Sequence, residues 1–564
     1  MDKIYFGIFC KDSPDNLSRK KNNYLRLVPW GNISSESSPS SQIVLLGPPR
    51  PSNAPPTSSS LAQFFTCIQD QVDTVLSTVP RLTHFSVIVP EEYLVLEAVD
   101  WSSHVGTLLR RNSQLHFALI LPSRSSTAFQ YWSCLQDSLK YPLNLSVFLY
   151  VGDPVEQTND ISLSTWKYEP VSSLILPITY FSGCSQQNMQ HYALSTYIQE
   201  TLKDFCTQAR PLIILSPINS SSEVTQGHMA SIERLFSSFE LPPVADAVIR
   251  DPLQPLRDDL SMDIYSIFEQ DETKYRMYGR AIAQAIIDIR KKKSGGSEIN
   301  IVIDVLIVGP GRGPLIDLVD QCSSPSTYCN IIAVEKNPLC TNLLKKRRWT
   351  SGSVTVVQSD IREYQSEVKF DLAISELLGS FACNELSPDI LAHVAAEVMI
   401  PSSYTNYLQP IYSPIISKMV GKVDQWERPY VVDITEGCFM ETGPVQSVWS
   451  YDHQASSNDL DWNVELKFEQ DLPDKGLYPT HGLLGYFTSV LYGEISIGIH
   501  PKQRANNNEY CNSWSPLYFP IKKFTFYTGR VIMERVTGKE GVHYQWDVNG
   551  VMHNQWGASY TIGN

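Results

Sequence analysis

The sequence predicts an α/β fold that gives way to an all-β C-terminal region, and three observations carry that reading. Short apolar runs recur through the first part of the chain at intervals of about 30 to 40 residues, room for a helix between each pair. From Ile301 to Met399, buried strands alternate with capped helices. After Pro401 the period drops to two and turns multiply, as in Gly485 to His500.

The N-terminal runs are Ile4–Phe9, Ile43–Leu46, Phe85–Val89, Phe117–Leu121, Leu145–Val151, Ser173–Ile178 and Leu212–Leu215. Their spacing fits a parallel sheet or a barrel equally. The first run, inside Met1 to Asp12, has no basic lead-in and no small-residue cleavage site, so it is expected to be a strand and not a signal peptide. Ser34 to Ser60 is rich in Ser and Pro and reads as a mobile loop over much of its length.

A length of 564 residues predicts three or four domains, and 42% apolar content supplies their cores. No stretch reaches the roughly 18 uninterrupted apolar residues of a spanning helix, so no membrane partner is expected. Eleven cysteines lie scattered without CxxC pairs or metal-ligand spacing. That predicts free thiols, no metal site and a reducing compartment, cytoplasmic, nuclear or both. The net charge of −14 argues against direct nucleic-acid binding and favours basic partners, or reflects solubility alone.

A Pro-rich passage, Leu241–Pro255, marks a domain junction. An amphipathic helix follows: Asp271 caps it, and Tyr275, Tyr278, Ile282, Ile286 and Ile289 line one face. Lys291–Lys293 meet its negative end, and Ser294-Gly295-Gly296 stops it.

The strand Asp304–Val308 feeds into Gly309-Pro310-Gly311-Arg312-Gly313-Pro314, where glycines permit a sharp turn and close approach to a ligand. The next strand, Ile331–Val334, ends in Glu335, the place of a ribose-binding carboxylate. Asn337-Pro338 then opens a helix. A third strand, Val354–Val357, ends near Asp360-Ile361, a pair able to bracket an adenine. The turn alone fits a dinucleotide site or a tight loop as well. Its GxGxG spacing leans towards S-adenosylmethionine over NAD.

The fourth strand, Leu372–Ile374, runs into a loop holding Glu376 and Glu385, and Ser387-Pro388 is expected to cap and open the next helix. Two carboxylates at a sheet's carboxyl edge suit a guanidinium, whose planar fork matches them. Two solvated loop acids would look the same in sequence.

The run Ser375 to Pro388 resembles the double-glutamate loop of protein arginine methyltransferases, in the wording of the protein arginine N-methyltransferase 5 branch. The likeness extends through Leu253–Leu256, Tyr265–Lys274, the glycine turn, Ala333–Pro338, Ser359–Glu363, Tyr404-Thr405, His481–Tyr492, Ser513-Trp514, Phe519–Lys522 and Ser559–Gly563. It covers about residues 245 to 564 and is faint before that.

The resemblance implies a TIM-like β/α barrel over 1–240 and a linker with the first catalytic-region helix over 241–299. A Rossmann-like S-adenosylmethionine domain over 300–404 and a C-terminal β-barrel with a dimerisation element over 405–564 complete it. It implies methyl transfer to arginine, with symmetric dimethylarginine as product, in substrates such as histone tails and Arg/Gly-rich proteins, by a homo-oligomer. A WD-repeat adaptor, common in this branch, would meet a divergent N-terminal region here. Tyr265, Lys274, Tyr275, Gly309, Gly311, Gly313, Glu335, Asp360 and Ile361 match cofactor positions, and Glu376 and Glu385 match the substrate clamp. Phe268 matches the aromatic found where asymmetric-product enzymes carry methionine, and Trp514 the wall of the target arginine. Two features depart from the branch: Ser515 stands where Phe is usual, and the segment before Asp251 is shorter.

Overall fold

The computed structural model describes residues 6–9, 25–29, 42–46, 58–78, 84–89, 98–152, 161–186, 189–206, 211–216, 224–238, 247–295, 300–349, 353–366, 368–434, 437–453, 459–468, 478–506, 509–525 and 529–563. Every N-terminal apolar run contains a strand: Phe6–Phe9, Gln42–Leu46, His84–Ile88, His116–Pro122, Leu145–Tyr150, Val171–Pro177 and Leu212–Ser216, with Ile4 and Tyr5 of the first run outside the described residues. With Leu25–Pro29 they pair in parallel and close on themselves, Phe6–Phe9 bonding to both Leu25–Pro29 and Leu212–Ser216. From Phe85 onward the runs are continuous because both faces are buried. Ala118, Phe148, Ile175, Leu212 and Ile214 form one cluster, while the alternate residues Phe117, Leu119, Val147, Leu174 and Ile213 join a second with the flanking helices. Only two parts of the stretch Ser34–Ser60 are described, the first of them the apolar run expected as a strand. They are the strand Gln42–Leu46 and the start of the helix Ser58–Thr78; the remainder lies outside the described residues.

The next sheet is wholly parallel, in the order Ser353–Gln358, Thr327–Glu335, Ile301–Val308, Phe370–Ser375, Ala396–Ile400. The helix Glu272–Ser294 lies against it. Asp271 caps that helix through the Lys274 amide at 3.0 Å, and Gly295, at φ 56°, ends it. Gly296 lies outside the described residues. One expected cap is different: Ser387 lies inside the short helix Ser387–Leu391, behind Leu386, and its hydroxyl bonds the Tyr404 hydroxyl at 3.0 Å instead.

The expected C-terminal barrel is barrel-like and built from two ladders. Eight antiparallel strands form one sheet, centred on Ser403–Tyr412 and Thr480–Tyr492; the linker strand Ala247–Arg250 is its edge. A second sheet holds Trp462–Lys467, Arg530–Gly538, Gly541–Val548 and Val551–His553. Phe519 and Tyr544, one from each sheet, meet edge to face at 6.0 Å. Gly485 leaves space for Phe381 of the glutamate loop, since a Cβ there would stand 2.7 Å from that ring.

The closed barrel docks on the C-terminal sheet through polar groups in an apolar seam. Tyr412 sits among the barrel's side chains, and its hydroxyl donates to Glu169, which also accepts from Trp132 Nε1 at 2.8 Å. The Ser413 amide donates to Nδ1 of His481 at 3.1 Å, so Nε2 carries the proton shared with the Tyr141 hydroxyl at 2.9 Å. Burial holds that histidine neutral, its pKa pushed down to about 3.

Burial also pushes Glu169 up to about 8, against the opposing bond from Trp132. An unfolded glutamate releases its proton near about 4.3, so between those values the folded chain binds more protons and stability falls as pH rises. The Tm of the full chain should drop as pH is raised from about 6 to about 9. Glu169→Gln should flatten that slope without abolishing it, because Glu385 contributes with the same sign. Identical slopes by calorimetry would contradict the assignment.

Candidate active site

The strand Ile301–Val308 has Thr327–Glu335 on one side and Phe370–Ser375 on the other, so successive crossovers leave in opposite directions and a crevice opens at its carboxyl end. A cavity of about 430 Å³ fills that crevice. Apart from Gly313, every site residue expected from the sequence lines it, and so does Ser515.

At the glycine-turn end, Gly309 and Gly311 have φ of 62° and 56°. A Cβ on Gly309 would stand 2.9 Å from Leu377, and one on Gly311 would stand 3.0 Å from the Tyr265 ring. Both conformation and space therefore require glycine. Gly313 serves the turn differently. At φ 104° it precedes the helix Pro314–Cys322, and a side chain there would strike Leu344 and Arg347. Glu335 is buried, with Oε2 accepting from the Gly311 amide at 2.9 Å and Oε1 from the Asn337 amide at 2.7 Å. Each oxygen keeps a second lone pair for a hydroxyl. Asp360 is held by Arg362, whose side chain bonds both its oxygens at 3.0 and 2.8 Å and lowers its pKa. Ile361 beside it is buried. A cradle closed to any Cβ, a buried carboxylate set by two amides, and an acid beside an apolar side chain fit an adenosine-bearing cofactor.

At the far end, Glu376 and Glu385 face the cavity from the loop after Phe370–Ser375. They are half-buried in the cavity wall rather than free in solvent. The Glu376 side chain is 16% exposed and pairs with Lys274 Nζ at 3.4 Å. Burial raises its pKa, which the ammonium partly offsets. Among the described residues no hydrogen bond or ion pair engages the Glu385 carboxyl, and burial first, then the charge of Glu376, push it up to about 8. The walls are aromatic. Lys274 Nζ lies 4.7 Å from the Trp514 ring centre, 5.1 Å from Tyr275 and 5.5 Å from Phe268. Lys274, expected among the cofactor residues, thus points its ammonium at Glu376.

Sequence reasoning finds Asp271 as a cap and misses its second bond, Oδ2 accepting from the Ser513 amide at 2.8 Å. Nothing local signals it, since the partner is 242 residues away. It also misses Asn384, whose Oδ1 accepts from the Phe381 amide at 2.6 Å, and Trp514 Nε1 donating to the Leu378 carbonyl at 2.7 Å.

A crevice suited to a nucleoside at one end and to a flat cation between acids at the other has the form a guanidinium methyltransferase requires. The family descriptions agree: residues 240–403 match the PRMT5 arginine-N-methyltransferase domain and residues 403–564 the PRMT5 oligomerisation domain. Protein arginine N-methyltransferase 5 of Oryza sativa subsp. indica is 30% identical over 77% of this chain and 72% of that protein. Protein arginine N-methyltransferase skb1 of Schizosaccharomyces pombe is 28% identical over 83% and 78%, and the Xenopus laevis protein arginine N-methyltransferase 5 is 28% identical over 77% and 71%. Among solved structures, the Trypanosoma brucei PRMT1 enzyme-prozyme complex with AdoHcy covers 51% of this chain and is covered over 93% of its own, at 15% identity and TM-score 0.40. The chain belongs to the protein arginine N-methyltransferase 5 family, whose members are S-adenosylmethionine-dependent arginine methyltransferases.

Replacing Glu335 with Ala strands two buried amides and should weaken S-adenosylhomocysteine binding by about 1–3 kcal/mol, read by calorimetry; unchanged affinity would remove it from the cofactor site. Glu376→Gln or Glu385→Gln should cost several kcal/mol in kcat/KM, roughly the loss of one partner from a desolvated charge pair. Cofactor affinity should survive. Near-normal peptide turnover in either variant would rule out the clamp.

Proposed function

We propose that this enzyme methylates arginines in proteins such as histones and Arg/Gly-rich RNA-binding proteins, forming monomethylarginine and then symmetric dimethylarginine. The cofactor supplies an electrophilic methyl group on a sulfonium. The chain's own residues must make a guanidinium nucleophilic, because arginine keeps its proton and delocalises its lone pairs. In this reading Glu376 and Glu385 hold the fork and draw positive charge towards the bonded side, leaving one terminal nitrogen richer. Aromatic walls fix its plane, and alignment then lowers the barrier as an orientation effect.

The observation that carries the product geometry is the position of Phe268. It ends the helix Met262–Phe268 and faces the same buried ammonium as Trp514. A rigid ring on that side restricts the space beside one guanidinium nitrogen. A monomethylated arginine would then rebind with its bare terminal nitrogen towards the sulfonium. Glu385, with its raised pKa, is the acceptor for the proton released.

The closed parallel ladder of the N-terminal region supports a TIM-like barrel there. Residues 403–564 match an oligomerisation domain, in keeping with a homo-oligomer. A WD-repeat adaptor is the further partner this family suggests. The cysteines described are free, in keeping with a reducing cytoplasm or nucleus.

Incubating an Arg/Gly-rich peptide with S-adenosylmethionine and separating the dimethyl isomers by tandem mass spectrometry tests the reading. Symmetric product should dominate in the wild type, and Phe268→Met should let asymmetric product appear beside it. Asymmetric dimethylarginine as the main wild-type product would overturn the assignment.

A further inference from the structure

We propose that Lys274 occupies the arginine subsite of the cofactor-free protein, and that substrate enters only after an anion has drawn its ammonium away, so that cofactor binding favours arginine binding. This rests on the arginine-methylating reading above.

The Lys274 side chain is only 1% exposed. Its ammonium sits 3.4 Å from Glu376 and within 5.5 Å of the centres of three rings, Trp514, Tyr275 and Phe268. An acid and an aromatic box are what a guanidinium would use, and cation–π attraction makes the box selective for positive charge. The resident ammonium is therefore a competitor for the same contacts. A guanidinium entering beside it would place two cations together in a desolvated space, where like charges repel strongly.

The local charge balance points the same way. One ammonium faces Glu376, while burial and the charge of its neighbour push the pKa of Glu385 up to about 8. That arrangement is close to neutral and needs no further cation. Removing the ammonium leaves two acids and room for a +1 group, the condition under which a guanidinium binds well.

Lys274 is also built to move at one end only. Its amide is fixed to Asp271 at 3.0 Å, whereas four methylenes separate that anchor from the charge. The other cations of the cavity lining are engaged elsewhere: Arg250 with Asp433, Arg312 with Glu269 and Lys336 with the Leu256 carbonyl. S-adenosylmethionine and its product each bring an α-carboxylate into this one cavity. The Lys274 ammonium is the buried cation there able to exchange one carboxylate for another.

The test is a calorimetric titration of an Arg/Gly-rich peptide into the full chain, with and without saturating S-adenosylhomocysteine. Wild-type protein should bind peptide at least roughly ten-fold more tightly with S-adenosylhomocysteine present, a coupling of ordinary size. Lys274→Gln and Lys274→Met should each bind peptide in its absence, with the ten-fold dependence lost. The wild type offers a second measurement free of any folding question: peptide must tighten S-adenosylhomocysteine by the same factor, since coupling is reciprocal. Equal peptide affinity in both wild-type titrations, or an unchanged dependence in both variants, overturns the proposal. Binding of S-adenosylhomocysteine without any peptide binding would instead overturn the arginine reading, and this proposal with it.

Discussion

Asp271 accepts from the Lys274 amide with one oxygen and from the Ser513 amide with the other, at 3.0 and 2.8 Å, while only 6% exposed. Through that one carboxylate the start of the long helix and the segment carrying Trp514 are fixed to each other. The bonds then run on. Trp514 donates to the Leu378 carbonyl of the glutamate loop, and Tyr278, one turn along the helix, donates to the Ser375 carbonyl at the loop's start. Helix start, aromatic wall and acid pair are thereby three parts of one buried network, in which each bond helps hold the geometry of the next.

The glutamate loop needs such bracing because its backbone is strained. Ala382 has φ 40° and Leu386 φ 63°, left-handed positions for residues with side chains, and they flank Glu385. Each costs of order 1–3 kcal/mol and persists only where surroundings enforce it. The enforcement comes largely from the C-terminal sheets. Asn406 donates to the Phe381 carbonyl at 2.7 Å, the Tyr544 hydroxyl meets Cys383 Sγ at 3.1 Å, and Arg535 pairs with Asp389. The β region is thus a structural part of the acid site as well as a match to an oligomerisation domain.

Local signals are legible in the sequence, and distant ones are not. Continuous apolar runs mark strands buried on both faces, and Asp271 and Gly295 mark the ends of their helix, because each depends on a few neighbouring residues. Leu25–Pro29 is hard to see because Arg26 interrupts its apolar character. The cap expected of Ser387 fails because Tyr404, from a strand of the next sheet, claims its hydroxyl. Spacing groups Gly313 with Gly309 and Gly311, yet its need for glycine comes from Leu344 and Arg347 rather than a ligand. The alternation expected of Gly485–His500 appears over Phe487–Tyr492, where buried and half-buried residues take turns, whereas the first eight residues of Thr480–Tyr492 are buried without a break.

Glu335, Glu376 and Glu385 differ in what answers their charge, and that difference orders their roles. Burial is the largest cause of a raised pKa in Glu335, Glu376 and Glu385 alike. Glu335 is answered by backbone amides, which cannot leave, so its charge is permanently committed and its spare lone pairs serve neutral hydroxyls. Glu376 is answered by an ammonium on a flexible stem, a partner that one cation can yield to another. Glu385 has no hydrogen bond or ion pair among the described residues; it feels Lys274 only at a distance, and Glu376 repels it more. A guanidinium, carrying charge and a fork of donors, satisfies both of the last two at once, which neither a hydroxyl nor a single ammonium does. The acid left without a partner is therefore the one that makes the site select arginine over lysine.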